Sequence, residues 1–154
     1  VQFVLLGSGD KAFQKFFEGV KKKYPKKVGV HFGFSEELAH LIEAGSDMFL
    51  MPSKYEPCGL NQMYSLKYGT IPIVRATGGL ADTITEFKNG KGNGFVFDKY
   101  DPAELMKTIK RALKLFTNRE EWIKLIRLAM GYDYSWEVSA KKYVDLYRSI
   151  MKKG

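Results

Sequence analysis

The residues best equipped for chemistry lie between positions 52 and 64, Pro-Ser-Lys-Tyr-Glu-Pro-Cys-Gly-Leu-Asn-Gln-Met-Tyr. They bring together a carboxylate at Glu56, a thiol at Cys58, and a glycine, Gly59, that opens a helical stretch. Backbone N–H groups at a helix start favour an anion such as a diphosphate. Such an anion repels a neighbouring glutamate, so Glu56 is aimed at hydroxyl groups, for example those of a sugar carried on the diphosphate. A carboxylate in that position can also stabilise positive charge that develops during a reaction. Cys58 has no histidine close by in sequence and reads as a residue lining the site rather than as a nucleophile.

The elements around this stretch give it its place. The apolar run Asp47-Met48-Phe49-Leu50-Met51 has the length and composition of a buried parallel strand. Pro52 and Pro57 stop regular pairing, and the helix that begins after Gly59 ends at Gly69. Glu56 therefore sits in a loop at the carboxyl end of a strand, where open α/β sheets bind ligands. Other strands are expected at Gln2–Leu6, 28–32, 71–74 and 94–97. Helices lie between them, one capped by Ser35 with Glu36 and Glu37 in its first turn. Asp101-Pro102 starts the first of three closing helices, which are interrupted at Thr117-Asn118 and over residues 131–136. This alternation predicts a doubly wound, Rossmann-like parallel sheet over residues 1–100 and a helical extension over 101–154.

Thr77-Gly78-Gly79 falls at the end of another strand, on the same crevice as Glu56. It reads equally well as a helix entry and as a ligand contact. Gly7-Ser8-Gly9-Asp10 lacks the third glycine of a dinucleotide fingerprint and reads as a tight turn. Phe13, Phe16, Phe17 and Val20 share one helix face and are expected in the core, as are Leu38, Leu41 and Ile42 on the next helix. His31 and His40 have no partners at ligand spacing, so no metal site is expected.

With 154 residues, 45% of them hydrophobic and 14% aromatic, the chain can build a core and is not disordered. The net charge of +8 first suggests nucleic acid. The lysine clusters at 21–23, 26–27 and 152–153 fall at helix ends, where they meet solvent and complement the helix dipole, so no nucleic-acid partner is expected. A single cysteine excludes an internal disulfide and fits a reducing, cytoplasmic compartment. No stretch approaches the roughly 20 apolar residues that span a bilayer, and no membrane partner is expected. The first residues lack a basic leader, and the start without methionine, inside a strand, gives the expectation of a fragment.

Residues 55–64, Tyr-Glu-Pro-Cys-Gly-Leu-Asn-Gln-Met-Tyr, then Leu66-Lys67-Tyr68-Gly69-Thr70-Ile71-Pro72 and Thr77-Gly78-Gly79-Leu80-Ala81-Asp82-Thr83, resemble the bacterial glycogen synthases and plant starch synthases. Tyr134-Ser135-Trp136, Ala140, Tyr143 and Leu146-Tyr147 resemble that family's ending. The resemblance covers nearly the whole chain. It implies the greater part of the C-terminal, nucleotide-sugar-binding domain of a two-domain GT-B glycosyltransferase.

The resemblance further implies retaining transfer of glucose from ADP-glucose, in some members UDP-glucose, to the non-reducing end of an α-1,4-glucan. No cofactor or metal is expected to take part. Glu56 matches the glutamate at the sugar end of the donor, and Cys58 a residue lining the same pocket. Gly59, Leu60 and Asn61 match the helix start whose backbone meets the donor, and Thr77, Gly78 and Gly79 complete the donor site. Phe34 matches an aromatic residue, often tyrosine, that stacks on adenine. Tyr64 stands where broader retaining GT-B enzymes carry a second glutamate.

The family's basic diphosphate clamp and its N-terminal acceptor domain are expected upstream of Val1, as is this domain's first strand. Gln2–Leu6 would then be the second strand, and it is expected to pair directly with Met48–Met51. The alternative is that a strand of a second copy fills the gap and makes an oligomer through exposed edges. Two other function classes stay open: a non-catalytic nucleotide-binding module, separable by a transfer assay, and a basic nucleic-acid-binding α/β domain, separable by the salt dependence of retention.

Overall fold

The computed structural model describes residues 1–151. The chain divides into two compact units, one of residues 1–46 and one from Asp47 onward.

The first unit is a β-α-β-α run. β1 (Phe3–Gly7) and β2 (Val28–Phe32) pair in parallel with Phe3 opposite Val28. Between them runs α1 (Lys11–Lys23), started by Asp10, whose carboxylate accepts from the N–H of Ala12 at 2.7 Å. Lys21, Lys22 and Lys23 occupy its last turn, as the charge pattern predicts; Lys152 and Lys153 lie outside the described residues. α2 (Glu36–Gly45) is capped by the Ser35 hydroxyl, which accepts from the N–H of Leu38 at 3.2 Å.

The apolar stripes of these helices are less covered than their periodicity predicts. Phe17 stacks on Phe3 with ring centroids 6.1 Å apart. Phe13 and Phe16 remain 68% and 61% exposed, and Leu41 63%. The reason is width. Two strands span one inter-strand spacing of about 4.8 Å, whereas a helix with its side chains is about 10 Å across, so part of each stripe overhangs its own sheet.

The second unit holds the core. β3 (Met48–Met51), β4 (Ile71–Arg75) and β5 (Phe95–Phe97) form a parallel sheet in the order β3-β4-β5. Thus β1 and β3 belong to separate sheets, and the expected direct pairing of Gln2–Leu6 with Met48–Met51 does not occur. Each sheet is packed by the helices of its own unit, and joining the two strands would mean repacking those helices.

Central β4 is buried from Ile71 through Val74, as a strand with two neighbours requires. Pro72 is tolerated there because of its side of the ladder. The N–H of Ile71 donates toward β3, to Asp47, and that of Ala76 toward β5, to Phe97. Alternation places the missing N–H of Pro72 on the β5 side, where pairing begins only at Ile73.

α3 (Asn61–Tyr68) ends at Gly69, which has φ +78° and N–H bonds to Leu66 and Ser65. α4 (Gly78–Thr83) follows β4. α5 (Pro102–Phe116), α6 (Arg119–Met130) and α7 (Trp136–Met151) close the chain. Asp101 caps α5 by accepting from Ala103 and Glu104, with Pro102 in its first turn. Trp122 of α6 is fully buried, stacked on Phe95 at 6.5 Å and edge-on to Phe116 at 5.1 Å. Among the described residues no helix is long and apolar enough to cross a membrane.

Candidate functional site

Two loops leave the carboxyl ends of neighbouring strands: residues 52–60 after β3, and residues 76–77 after β4. They are fastened backbone to backbone. The N–H of Gly79 donates to the carbonyl of Glu56 at 3.0 Å. The approach is possible only without side chains on one partner. A Cβ on Gly78 would overlap the carbonyl of Glu56, and one on Gly79 the carbonyl of Cys58. Gly78 also has φ +46°, a left-handed conformation that glycine adopts without strain.

Glu56 is half-buried, and its Oε2 accepts from the Ser53 hydroxyl at 3.3 Å. The loop beneath it is braced by Arg75 from the end of β4. One guanidinium nitrogen donates to the carbonyls of Lys54 at 2.7 Å and Ser53 at 3.4 Å, while the group lies 5.6 Å over the Tyr100 ring.

Gln62, in the first turn of α3, is completely buried. Its Nε2 reaches the carbonyl of Gly59 at 2.9 Å, that of Cys58 at 3.2 Å and the Thr83 hydroxyl at 3.2 Å. Thr83 in turn donates to Gly79 at 2.6 Å. Its carbonyl accepts from Asn93 at 2.9 Å and from the Tyr134 hydroxyl at 2.6 Å. Burial among these groups pushes the Tyr134 phenol upward, assisted by the adjacent Tyr132 and opposed by Asn93.

The structure thus brings Glu56, Cys58, Gly59, Gly78 and Gly79 into one knot at the strand ends. Cys58 is exposed there as a free thiol. Gly59 has φ +71°. Leu60, Asn61 and Tyr64 lie together over the first turn of α3, exposed, and Leu60 makes no side-chain cap to the helix. Thr77 precedes α4 without a side-chain cap, its carbonyl accepting from Leu80 at 3.1 Å. Phe34 belongs to the first unit, where it is 91% exposed between Gly33, at φ +134°, and the cap Ser35. No group of three or more metal-ligating side chains is gathered among the described residues. An open groove of about 520 Å³ along α5, lined by Met106, Lys107, Lys110 and Lys114 among others, shares no residue with these loops.

Reading the sequence for chemistry missed Ser53, Gln62, Arg75 and Thr83, because Gln62, Arg75 and Thr83 act on backbone carbonyls and Ser53 only on the Glu56 carboxylate. Two signals could have found them. Gln62, Ser65 and Leu66 recur at i, i+3, i+4, which places an amide on the buried helix face, and Arg75 ends an apolar strand with a charge. A carboxylate held at the strand ends beside an uncapped helix start can grip hydroxyl groups while backbone N–H groups receive an anion.

The chain belongs to the family Glycosyl transferases group 1, whose sequence pattern it matches over residues 1–128. It is similar to the glycogen synthase of Fervidobacterium nodosum, with 52% identity over 99% of this chain, and to that of Thermosipho africanus, with 54% identity over 99%. It spans 32% of the length of each. Among solved structures it resembles the catalytic domain of Starch Synthase IV from Arabidopsis thaliana bound to ADP and acarbose. The TM-score is 0.85 at 37% identity, covering 96% of this chain and 32% of that one. The fold is that of the C-terminal half of a GT-B glycosyltransferase.

Proposed function

We propose that this chain is the donor-binding part of a glycogen or starch synthase. The enzyme transfers glucose, with retention, from ADP-glucose to the non-reducing end of an α-1,4-glucan. The observation that carries the reading is the Glu56 loop fastened onto the Gly78-Gly79 turn at the ends of two adjacent parallel strands. Glu56 holds hydroxyls of the donor glucose and opposes the positive charge of an oxocarbenium-like centre. Gly59, Leu60 and Asn61 face the donor with the start of α3, Cys58 and Tyr64 line it, and Thr77, Gly78 and Gly79 close the opposite side. Phe34 offers an exposed ring to the base. ADP is the nucleotide named with the solved starch synthase, which favours ADP-glucose over UDP-glucose here. Residues 1–100 form the α/β part of the donor domain, and α5, α6 and α7 its helices; the acceptor glucan is held by an N-terminal domain.

The test joins residues 1–154 to the N-terminal two-thirds of the Fervidobacterium nodosum enzyme and measures glucose incorporated into glycogen from labelled ADP-glucose and UDP-glucose. Incorporation from ADP-glucose in α-linkage is expected. A folded chimera that transfers from neither donor, or forms β-linkages, overturns the reading.

A further inference from the structure

Gln62 is a fully buried polar side chain that the transfer chemistry leaves without a task. Its Nε2 faces three acceptors, the carbonyls of Cys58 and Gly59 and the hydroxyl of Thr83. Its Oε1 is also buried and has no hydrogen-bond partner among the described residues. An amide buried this way is unfavourable on its oxygen side, so its value lies in the N–H groups.

The peptide geometry shows what those N–H groups achieve. All peptide bonds described are trans, so the C=O and N–H of one peptide unit point in opposite directions. The carbonyl of Cys58 shares its unit with the N–H of Gly59, and the carbonyl of Gly59 with the N–H of Leu60. Because Gln62 draws both carbonyls inward, both N–H groups are turned away from the buried amide. Neither donates to a backbone carbonyl among the described residues. Successive free N–H groups ahead of a helix form a concavity for an anion. Gly59 at φ +71° supplies the backbone bend this needs.

We propose that Gln62 is a positioning residue of the donor site: by holding the carbonyls of Cys58 and Gly59 it presents the N–H groups of Gly59 and Leu60 to the phosphate of the nucleotide sugar. The proposal rests on the donor-binding reading above. Thr83 belongs to the same device, since its hydroxyl accepts from Gln62 while donating to Gly79.

The test uses the ¹⁵N-labelled chain, ADP as the probe, and three variants. Gln62→Met keeps the volume and removes the donors, Thr83→Val removes only the bridging hydroxyl, and Tyr134→Phe removes the hydroxyl on the far side of Thr83. Without ligand, the Gly59 and Leu60 amide resonances are expected to move in Gln62→Met, to move less in Thr83→Val and to stay in place in Tyr134→Phe. ADP affinity is expected to fall about tenfold in Gln62→Met and to be unchanged in Tyr134→Phe, even where both melt earlier. Unmoved Gly59 and Leu60 resonances in both Gln62→Met and Thr83→Val overturn the proposal, as does unchanged ADP affinity in Gln62→Met. Should Gln62→Met fail to fold, Thr83→Val alone decides by the same two readings. A wild-type chain that shows no ADP-induced shift overturns the donor-binding reading instead, and the ligand-free resonances still decide the role of Gln62.

Discussion

Gly79 and Glu56 meet through their backbones: the N–H of one lies 3.0 Å from the carbonyl of the other, with no atom of either side chain involved. The position of the candidate catalytic carboxylate is therefore fixed from behind, by a residue in the first turn of α4, while among the described residues its side chain is held by a long bond from Ser53.

Glu56→Gln in the chimera should lower turnover by about 10²-fold or more, because a neutral amide cannot oppose developing positive charge. The melting temperature should hardly move, since the side chain is held among the described residues by a 3.3 Å contact from Ser53. Steady-state kinetics beside a thermal melt checks both; full activity would remove Glu56 from the reaction.

Gly79→Ala should cost about 3 kcal/mol or more, because its Cβ collides with the Cys58 backbone and the two loops must part. Gly19→Ala serves as the opposite case. Nothing lies within 4 Å of a Cβ there, and the residue is inside α1, so stability should rise by about 0.5–1 kcal/mol. Urea unfolding of the two variants should show shifts of opposite sign.

Trp122 should tolerate loss of its N–H better than loss of its ring. Its Nε1 is buried with no hydrogen-bond partner among the described residues. Trp122→Phe, which removes that donor and keeps an aromatic against Phe95 and Phe116, should cost under about 2 kcal/mol, and Trp122→Ala about 3–5 kcal/mol. Equal losses would show that the indole N–H contributes more than its surroundings suggest.

Glu43 gives the first unit a pH dependence. It is 5% exposed, and burial pushes its carboxyl above the ordinary carboxylate value, partly opposed by His40. The folded state thus prefers the protonated form. That preference is fully present below the ordinary pKa and is lost as pH rises through the raised one. Relative to wild type, Glu43→Gln should gain stability across that interval and hold the gain at neutral pH. Denaturation curves between pH 4 and 7 that run parallel for the two proteins would contradict this.

The parts of the fold legible in the sequence are those set by local chemistry. Ser35 and Asp101 cap the helices their hydroxyl and carboxylate predict, Gly69 ends α3 in the left-handed conformation, and Pro102 sits in a first helical turn. The strands 48–51 and 28–32 fall where their apolar runs do. Phe13, Phe16 and Leu41 were misjudged because periodicity tells which face of a helix is apolar and says nothing of the width of what covers it. In the site, Glu56 and the glycines were legible because their residue types are unusual at strand ends. Gln62 and Thr83 were not, because their work is to hold backbone carbonyls of the loop and helix turns beside them, and they meet each other only across 21 positions of chain.

Pro72 lies in the middle of the core, yet it acts as a register stop. Lacking an N–H on the β5 side, it gives a partner strand nothing to accept before Val74, and the pairing of β5 with β4 begins at Phe95. Asn93 and Gly94 are left to turn the other way, and both donate their N–H groups to Thr85. That turn delivers the Asn93 side chain to the carbonyl of Thr83, the residue against which Gln62 is seated. A ring that merely declines one ladder bond thereby sets the alignment of a loop on a different strand. Exchanging Pro72 for valine would put a donor back on the β5 side, where it would compete with Thr85 for the Asn93 end of that turn.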